Sequence, residues 1–299
     1  MSRLIDNRNE GPAGLRKLML GNGIVKAAGV FSGISALLAE SAGFGCLYLS
    51  GSGVAGNMGL PDLSLTTLSE VCLETERITR ISSRPLIVDA DTGFGEALNV
   101  SRTVATIESA GAAGIHLEDQ VLPKKCGHLS GKELVPRDEM ASKIRAAVKS
   151  RRNDDFMIIA RTDSIAVEGI ESAIERANLY AEEGADAIFP EAPESAEDFK
   201  KLARNTKVPL LANMTEFGKS PLLSADELEK IGYKIVIYPL TGFRAALRTL
   251  EKVYRDLAAT GTQRTFIDSL MTREEYYRLI GYYQYEENDR EYSYKRGGS

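Results

Sequence analysis

Residues 100–120 read VSRTVATIESAGAAGIHLEDQ, and this stretch holds one complete unit of the fold. From Val100 to Ala110 the apolar residues recur at helical spacing, which predicts an amphipathic helix over 100–110. Ala110-Gly111 is the small-residue punctuation that stops a helix. A short apolar run over 114–117 follows and ends on Glu118-Asp119-Gln120. The order is helix, stop, buried strand, acidic rim.

That order recurs along the chain. Short runs rich in Ile, Val and Leu lie at 24–30, 46–49, 86–88, 114–117, 157–160, 187–189, 210–212 and 234–238. They show little polar alternation, as parallel strands covered on both faces do. Helical spacing fills the gaps at 34–42, 67–81, 100–110, 137–150, 170–183, 196–204, 225–231 and 243–259. Strict alternation predicts a parallel sheet with right-handed crossovers, and eight repeats predict a closed (β/α)8 TIM barrel. A doubly wound open sheet is the alternative. No glycine-rich dinucleotide fingerprint follows any of the strands, which speaks against it.

The chain of 299 residues reads as one barrel domain over 1–299, with 262–299 a C-terminal helical extension and tail. Tyr276, Tyr277, Tyr282, Tyr283 and Tyr285 make that extension too aromatic for a solvated tail, so it is expected to pack on the barrel or on a partner subunit. Residues 295–299 are expected to be disordered. Hydrophobic residues make up 43% and charged residues 26%, enough for a large core. A net charge of -5 argues against nucleic-acid or membrane-surface binding. Cys46, Cys72 and Cys126 form neither a disulfide framework nor a zinc spacing, which suits a reducing compartment. Arg3, Asp6, Arg8 and Glu10 open the chain with no apolar run behind them. No stretch approaches the ~20 apolar residues of a membrane span, and the expected location is cytoplasmic.

In such a barrel the site lies at the carboxyl ends of the strands. The strand ends carry Ser50-Gly51-Ser52, Asp89-Ala90-Asp91, Glu118-Asp119, Arg161-Thr162-Asp163, Glu191 and Asn213-Met214-Thr215-Glu216. Asp89 and Asp91 stand two apart, so both can face one side and share a cation between them. Oxygen ligands of this kind suit Mg²⁺ or Mn²⁺, with capping of the next helix the plainer alternative. The segment Pro123-Lys124-Lys125-Cys126-Gly127-His128, running on to Gly131-Lys132, is the sharpest feature. Lys124, Lys125 and His128 put positive charge around the thiol, which predicts a lowered pKa and a role as nucleophile or proton donor. Gly127 and Gly131 predict a pliable lid. Cys46 and Cys72 read as core, and His116 as an interior histidine outside the site. Arg161 and Arg244 are placed to grip carboxylates, and Arg273 comes from the aromatic extension towards the same rim.

These strings resemble the isocitrate lyase/phosphoenolpyruvate mutase superfamily over residues 15–287. The likeness rests on Tyr48-Leu49-Ser50-Gly51, the run 88–95, Glu118-Asp119-Gln120, Lys124-Lys125-Cys126-Gly127-His128, and the stretches 160–163, 189–192, 211–216 and 282–287. The Lys-Lys-Cys-Gly-His string resembles the carbon–carbon lyases of the superfamily, since the phosphonate-forming members lack that cysteine. Within these lyases the chain is most similar to members that cleave 2-methylisocitrate to pyruvate and succinate in propionate breakdown by the methylcitrate cycle. A lyase for isocitrate or dimethylmalate is the alternative. The resemblance implies that Ser50, Gly51 and Ser52 hold the keto-acid portion, that Asp89 and Asp91 bind Mg²⁺, and that Cys126 and Gly127 sit at the reacting carbon. It implies substrate contacts from Arg161, Glu191, Asn213, Met214, Thr215, Arg244 and Arg273. Lys124 and His128 accompany Cys126 as catalytic candidates, and Tyr48 or a carboxylate acting through water is the candidate base. Ser52 stands where the family usually has glycine. The family also implies a homotetramer, a dimer of dimers that exchanges the last barrel helix.

Overall fold

In the computed structural model, which describes residues 9–129 and 131–293, eight short parallel strands form the wall of a barrel. They are β1 (Val25–Val30), β2 (Cys46–Leu49), β3 (Leu86–Asp89), β4 (Gly114–Glu118), β5 (Met157–Thr162), β6 (Ala187–Pro190), β7 (Leu211–Asn213) and β8 (Ile235–Tyr238). Each pairs with its sequence neighbour, β8 returns to β1, and the Ile188–Leu210 bridge with the 2.9 Å Ile188 N–H to Pro209 C=O bond closes the seam between β6 and β7. The barrel expected from the alternation is therefore the fold. Residues 294–299, which include the tail expected to be disordered, lie outside the described residues.

The helices are α1 (Gly11–Leu20), α2 (Gly33–Ser41), α3 (Gly51–Asn57), α4 (Leu68–Thr79), α5 (Ala97–Ser109), α6 (Arg137–Ser150), α7 (Ile165–Glu168), α8 (Ile170–Glu182), α9 (Ala196–Asn205), α10 (Ala225–Ile231), α11 (Thr241–Thr260), α12 (Arg273–Ile280) and α13 (Tyr282–Tyr292). Several start on a serine or threonine whose side chain accepts the amide three residues on, as Thr67 does from Glu70 and Ser195 from Asp198. Three helices fall outside the sequence-based expectation. The first, α1, plugs the amino-terminal mouth of the barrel with the fully buried Leu15. The others, α3 and α7, are short turns on the opposite rim.

Strand geometry sends residues i and i+2 to one side, and the core divides accordingly. Ala27, Cys46, Ile87, Met157, Ile159, Ala187, Leu211 and Ile237 fill the barrel interior. Leu47, Leu86, Val88, Ile115, Ile158, Ile188 and Val236 face out to the helices. At Gly29 the wall is tightest, because a Cβ there would lie 2.1 Å from the Pro239 oxygen and 2.4 Å from that of Tyr238. Backbone cannot yield as a side-chain tip can. Gly29→Ala should therefore lower the denaturation midpoint by about 1–3 kcal/mol equivalent, read from urea titration of both proteins. A midpoint equal to that of the parent would show that β1 and β8 part without cost.

One element does not pack as a barrel helix. α11 has no buried residue, and Leu247, Leu250, Tyr254 and Leu257 are exposed along it. Beside its start a groove of about 500 Å³, lined by Ala28, Phe31, Leu38, Phe44, Tyr238 and Ala246, runs along the wall between α2 and β8.

Candidate active site

The inward face that fills the barrel continues upward into polar residues. On β2 the series 46, 48, 50 ends in Tyr48 and Ser50, and on β3 it ends in Asp89 with Asp91 beyond. On β4 it gives His116 and Glu118, on β5 Arg161 and Asp163, on β6 Phe189 and Glu191, and on β7 Asn213 and Thr215. One cleft at the carboxyl rim is lined by Tyr48, Ser50, Ser52, Asp62, Asp89, Lys124, Cys126, Gly127, His128, Arg161, Phe189, Glu191, Asn213, Thr215, Pro239, Leu240 and Arg244. Gly51 contributes its backbone, donating N–H to Asp89 Oδ2 at 3.0 Å.

Two of the expected substrate contacts lie elsewhere. Met214 has the opposite parity to Asn213 and Thr215, so it is buried in the outer core, where its sulfur accepts the Leu223 N–H. Arg273 is exposed at the first turn of α12 and does not line the cleft. Conversely, the sequence reading missed Asp62 and set His116 aside. The parity that rejects Met214 would have admitted His116, which lies two before Glu118 and faces inward. Asp62 sits in the loop after α3, and nothing local to it announces the site.

Around β3 the charges are dense. Asp89 and Asp91 converge on Gly51, whose added Cβ would sit 3.2 Å from Asp89 Oδ2 and 3.1 Å from Asp91 Oδ1. Asp91 holds a left-handed backbone with φ of 47°, the kind of local strain that persists where the surroundings fix it. Lys124 Nζ lies 2.9 Å from Asp91 Oδ1 and 2.5 Å from Asp62 Oδ1. Tyr48 OH is 2.7 Å from His116 Nε2, which is 3.3 Å from Asp89 Oδ1, and the two rings stack. Burial pushes His116 down to about 4, so the ring is neutral near pH 7. Burial opposes ionisation of Asp89, but His116, Lys124, Arg161 and the Gly51 amide outweigh it and hold the acid below its ordinary value. Burial lifts Asp91 to about 6 and Glu118 well above the carboxylate range.

These carboxylates fit a small hard cation. Both oxygens of Glu118 are buried without a hydrogen bond, with Arg161 Nη1 approaching at 3.2 Å. Among the described residues no three His, Cys, Asp or Glu side chains close on one point. A cation here would therefore take few protein oxygens and complete its shell with water and substrate, as Mg²⁺ commonly does.

Across the cleft, Arg161 is buried and anchored. Its Nε and Nη2 donate to Asp163 at 2.9 and 3.1 Å, Nη2 lies 3.5 Å from Glu191 Oε1, and the guanidinium stands over Phe189 at 5.1 Å. Asn213 Nδ2 donates to Glu191 at 3.3 Å. Arg244 Nη1 is 3.5 Å from Thr215 Oγ1 and ion-pairs with Glu216 at 2.8 Å.

The thiol of Cys126 is open to solvent on one side and hemmed by the cleft on the other. It does not have the lowered pKa expected from its neighbours. Partial burial pushes the thiol up, and Glu191 and Asp62 add to that, against the pull of the His128 amide and Arg161. The flanking cations are spent elsewhere: Lys124 on Asp62 and Asp91, Lys125 on the Gly131 carbonyl at 2.7 Å. Gly127 fits where nothing larger would, since a Cβ would fall 2.0 Å from Glu191 Oε1 and 2.5 Å from Arg161 Nη2. His128 Nδ1 accepts the Lys219 N–H at 2.9 Å, and its Nε2 stands 3.5 Å from Glu191 Oε1.

Residues 15–258 match the family model described as phosphoenolpyruvate phosphomutase. A 2-methylisocitrate lyase of Aeropyrum pernix is 56% identical over 281 residues, 94% of this chain and 91% of the relative. The crystal structure of a 2,3-dimethylmalate lyase superposes with a TM-score of 0.88 at 34% identity, covering 100% of this chain and 99% of the other. A phosphonopyruvate hydrolase in complex with oxalate and Mg²⁺ superposes with a TM-score of 0.86 at 30% identity, covering 98% and 99%.

Proposed function

The chain belongs to the phosphoenolpyruvate phosphomutase family and is a carbon–carbon lyase, and from that premise we propose that it cleaves 2-methylisocitrate to pyruvate and succinate. The observation that carries this reading is the placement of Cys126 near Arg161 and Glu191 in the cleft that Asp89 also lines. The relative named for this substrate is 56% identical, against 34% for the dimethylmalate lyase, which favours the tricarboxylic acid. The reaction would serve propionate breakdown by the methylcitrate cycle, in the cytoplasm, a setting consistent with three free thiols.

Asp89 and Asp91 would hold Mg²⁺ or Mn²⁺, with Glu118 adding negative charge nearby, and the ion would supply Lewis acidity that makes the 2-hydroxyl easier to deprotonate. The hydroxyl proton would pass through water to a rim carboxylate, with Tyr48 Oη, held 2.7 Å from His116 Nε2, beside the hydroxyl. The C2–C3 bond then breaks, its electron pair staying on C3, while C2 becomes the pyruvate carbonyl. Ser50, Gly51 and Ser52 border the pyruvate part. Arg161, Asn213, Thr215 and Arg244 offer the donors that hold the carboxylate into which the C3 charge spreads. The Cys126 thiol gives its proton to C3 and completes succinate. Lys124 carries the positive charge that keeps Asp62 and Asp91 together, and His128 supports Glu191.

With Mg²⁺ present, purified protein should release pyruvate from 2-methylisocitrate, followed by coupled oxidation of NADH. The same protein after exhaustive chelation should release none until Mg²⁺ or Mn²⁺ is restored. Pyruvate formation that survives chelation would remove the metal from this reading.

The assembly belongs to the same proposal. The exposed apolar stripe of α11 and the apolar groove between α2 and β8 match in chemistry, so α11 of a second copy would fill the groove, and dimers formed in this way would pair into a homotetramer. Light scattering after size exclusion should give a multiple of the 32.6 kDa chain, and Leu250→Glu should lower it. A parent protein that elutes as a monomer would rule out the exchange.

A further inference from the structure

The loop that carries Cys126 has a firm base and a tip that must be held. Its two limbs pair through the Gln120–Leu134 bridge, with Val121 N–H to Glu133 C=O at 2.8 Å and Val135 N–H to Asp119 C=O at 2.9 Å. Between them the chain leaves the barrel, enters by a cis Leu122–Pro123 bond and crosses the cleft. Such a segment has little core of its own. Gln120 holds the Lys125 peptide before the thiol, donating to its C=O and accepting its N–H, both at 2.9 Å, which leaves the Gly127 side of the thiol to be held.

Lys132 lies where the loop returns, and it is buried. Its ammonium donates to the carbonyl of Gly127, the residue after Cys126, and to Asp163 Oδ1 at 2.8 Å. Asp163 in turn takes both the Nε and Nη2 protons of Arg161. One cation thus ties the peptide beside the thiol to the carboxylate that aims the guanidinium. Ammonium is suited to this, because three donors on one nitrogen can bridge two acceptors that are not coplanar. The bridge also compensates the buried Asp163 charge, so opening the loop would cost a charge-assisted bond.

We propose that Lys132 is a positioning residue that latches the Cys126 loop over the cleft, setting the thiol and Arg161 in register with each other. Lys132 does not itself line the cleft. The proposal rests on Cys126 acting as the proton donor.

Lys132→Met keeps the stem and removes both bonds. Its kcat should fall by about 10²-fold, the scale of a displacement of roughly 1 Å at a catalytic group, with pyruvate affinity unchanged. Hydrogen–deuterium exchange of the peptide spanning 121–134 should accelerate, while that of the barrel strands stays as in the parent. Lys132→Arg retains a donor for each oxygen and should recover much of the rate and the protection. Exchange unchanged in Lys132→Met would show that the loop needs no latch. Accelerated exchange with parental kcat would overturn the positioning role differently, by showing that turnover does not need the thiol in place. If the Met variant does not accumulate in folded form, Lys132→Gln gives the same two readings.

Discussion

Cys126→Ser is expected to lower kcat by about 10³-fold while leaving pyruvate affinity and the melting temperature close to the parent values. The reasoning starts from which proton the thiol holds. Partial burial, with Glu191 and Asp62 nearby, keeps Cys126 protonated beyond the ordinary thiol range, so at neutral pH the group is a loaded donor. A serine hydroxyl occupies nearly the same place but is a far weaker acid, and the carbanion left at C3 then waits for water. The same placement fixes the pH dependence. A donor works only while protonated, so the rate should hold across neutral pH and decline as pH rises through the raised thiol value. Residual turnover in Cys126→Ser should lack that alkaline decline. Measuring kcat against pH for both proteins tests both halves, and near-parental turnover of the serine variant at neutral pH would take the thiol out of the reaction.

How much of this was legible beforehand depends on how local each determinant is. The eight strands are written in runs such as 86–88 and 157–160, because a strand covered on both faces must be apolar throughout. The rim acids follow from where those runs stop. The helix at 51–57, with its Gly-Ser-Gly start, has poor intrinsic propensity, and its first turn is secured by the Ser50 carbonyl accepting the Val54 N–H. The plug at 11–20 is fixed by Leu15 entering the barrel, a contact made only after closure. Asp62 reaches the site through tertiary geometry, whereas strand parity alone turns His116 inward and turns Met214 away from the cleft. The thiol shows the limit most plainly. Lys124 and Lys125 adjoin it in sequence, yet each turns its charge to another partner, so proximity along the chain says little about the field at sulfur.

Arg161→Lys should be the most damaging change that preserves charge. The guanidinium is at once a fork on Asp163, a neighbour of Glu118 at 3.2 Å and of Glu191 at 3.5 Å, and a cation over the Phe189 ring. A compact tetrahedral ammonium with three donors on one nitrogen cannot serve all four directions. It would settle on Asp163, where Lys132 already donates, and leave Glu118 and Glu191 without the cation they share. Truncating one partner of a buried, hydrogen-bonded charge pair costs about 2–5 kcal/mol, much of it from the charge left behind. Taking about 4 kcal/mol, kcat/KM should fall roughly 10³-fold, with kcat and KM both affected because the same group orients the carboxylate before and during bond breaking. Arg161→Met goes further and leaves three buried acids without it, so it should also cost roughly 3–5 kcal/mol of stability. The lysine variant separates the two effects: a melting temperature near the parent with a collapsed kcat/KM assigns Arg161 to the reaction. Turnover within tenfold of the parent would instead make it a structural cation that holds the strand ends of β4, β5 and β6 together.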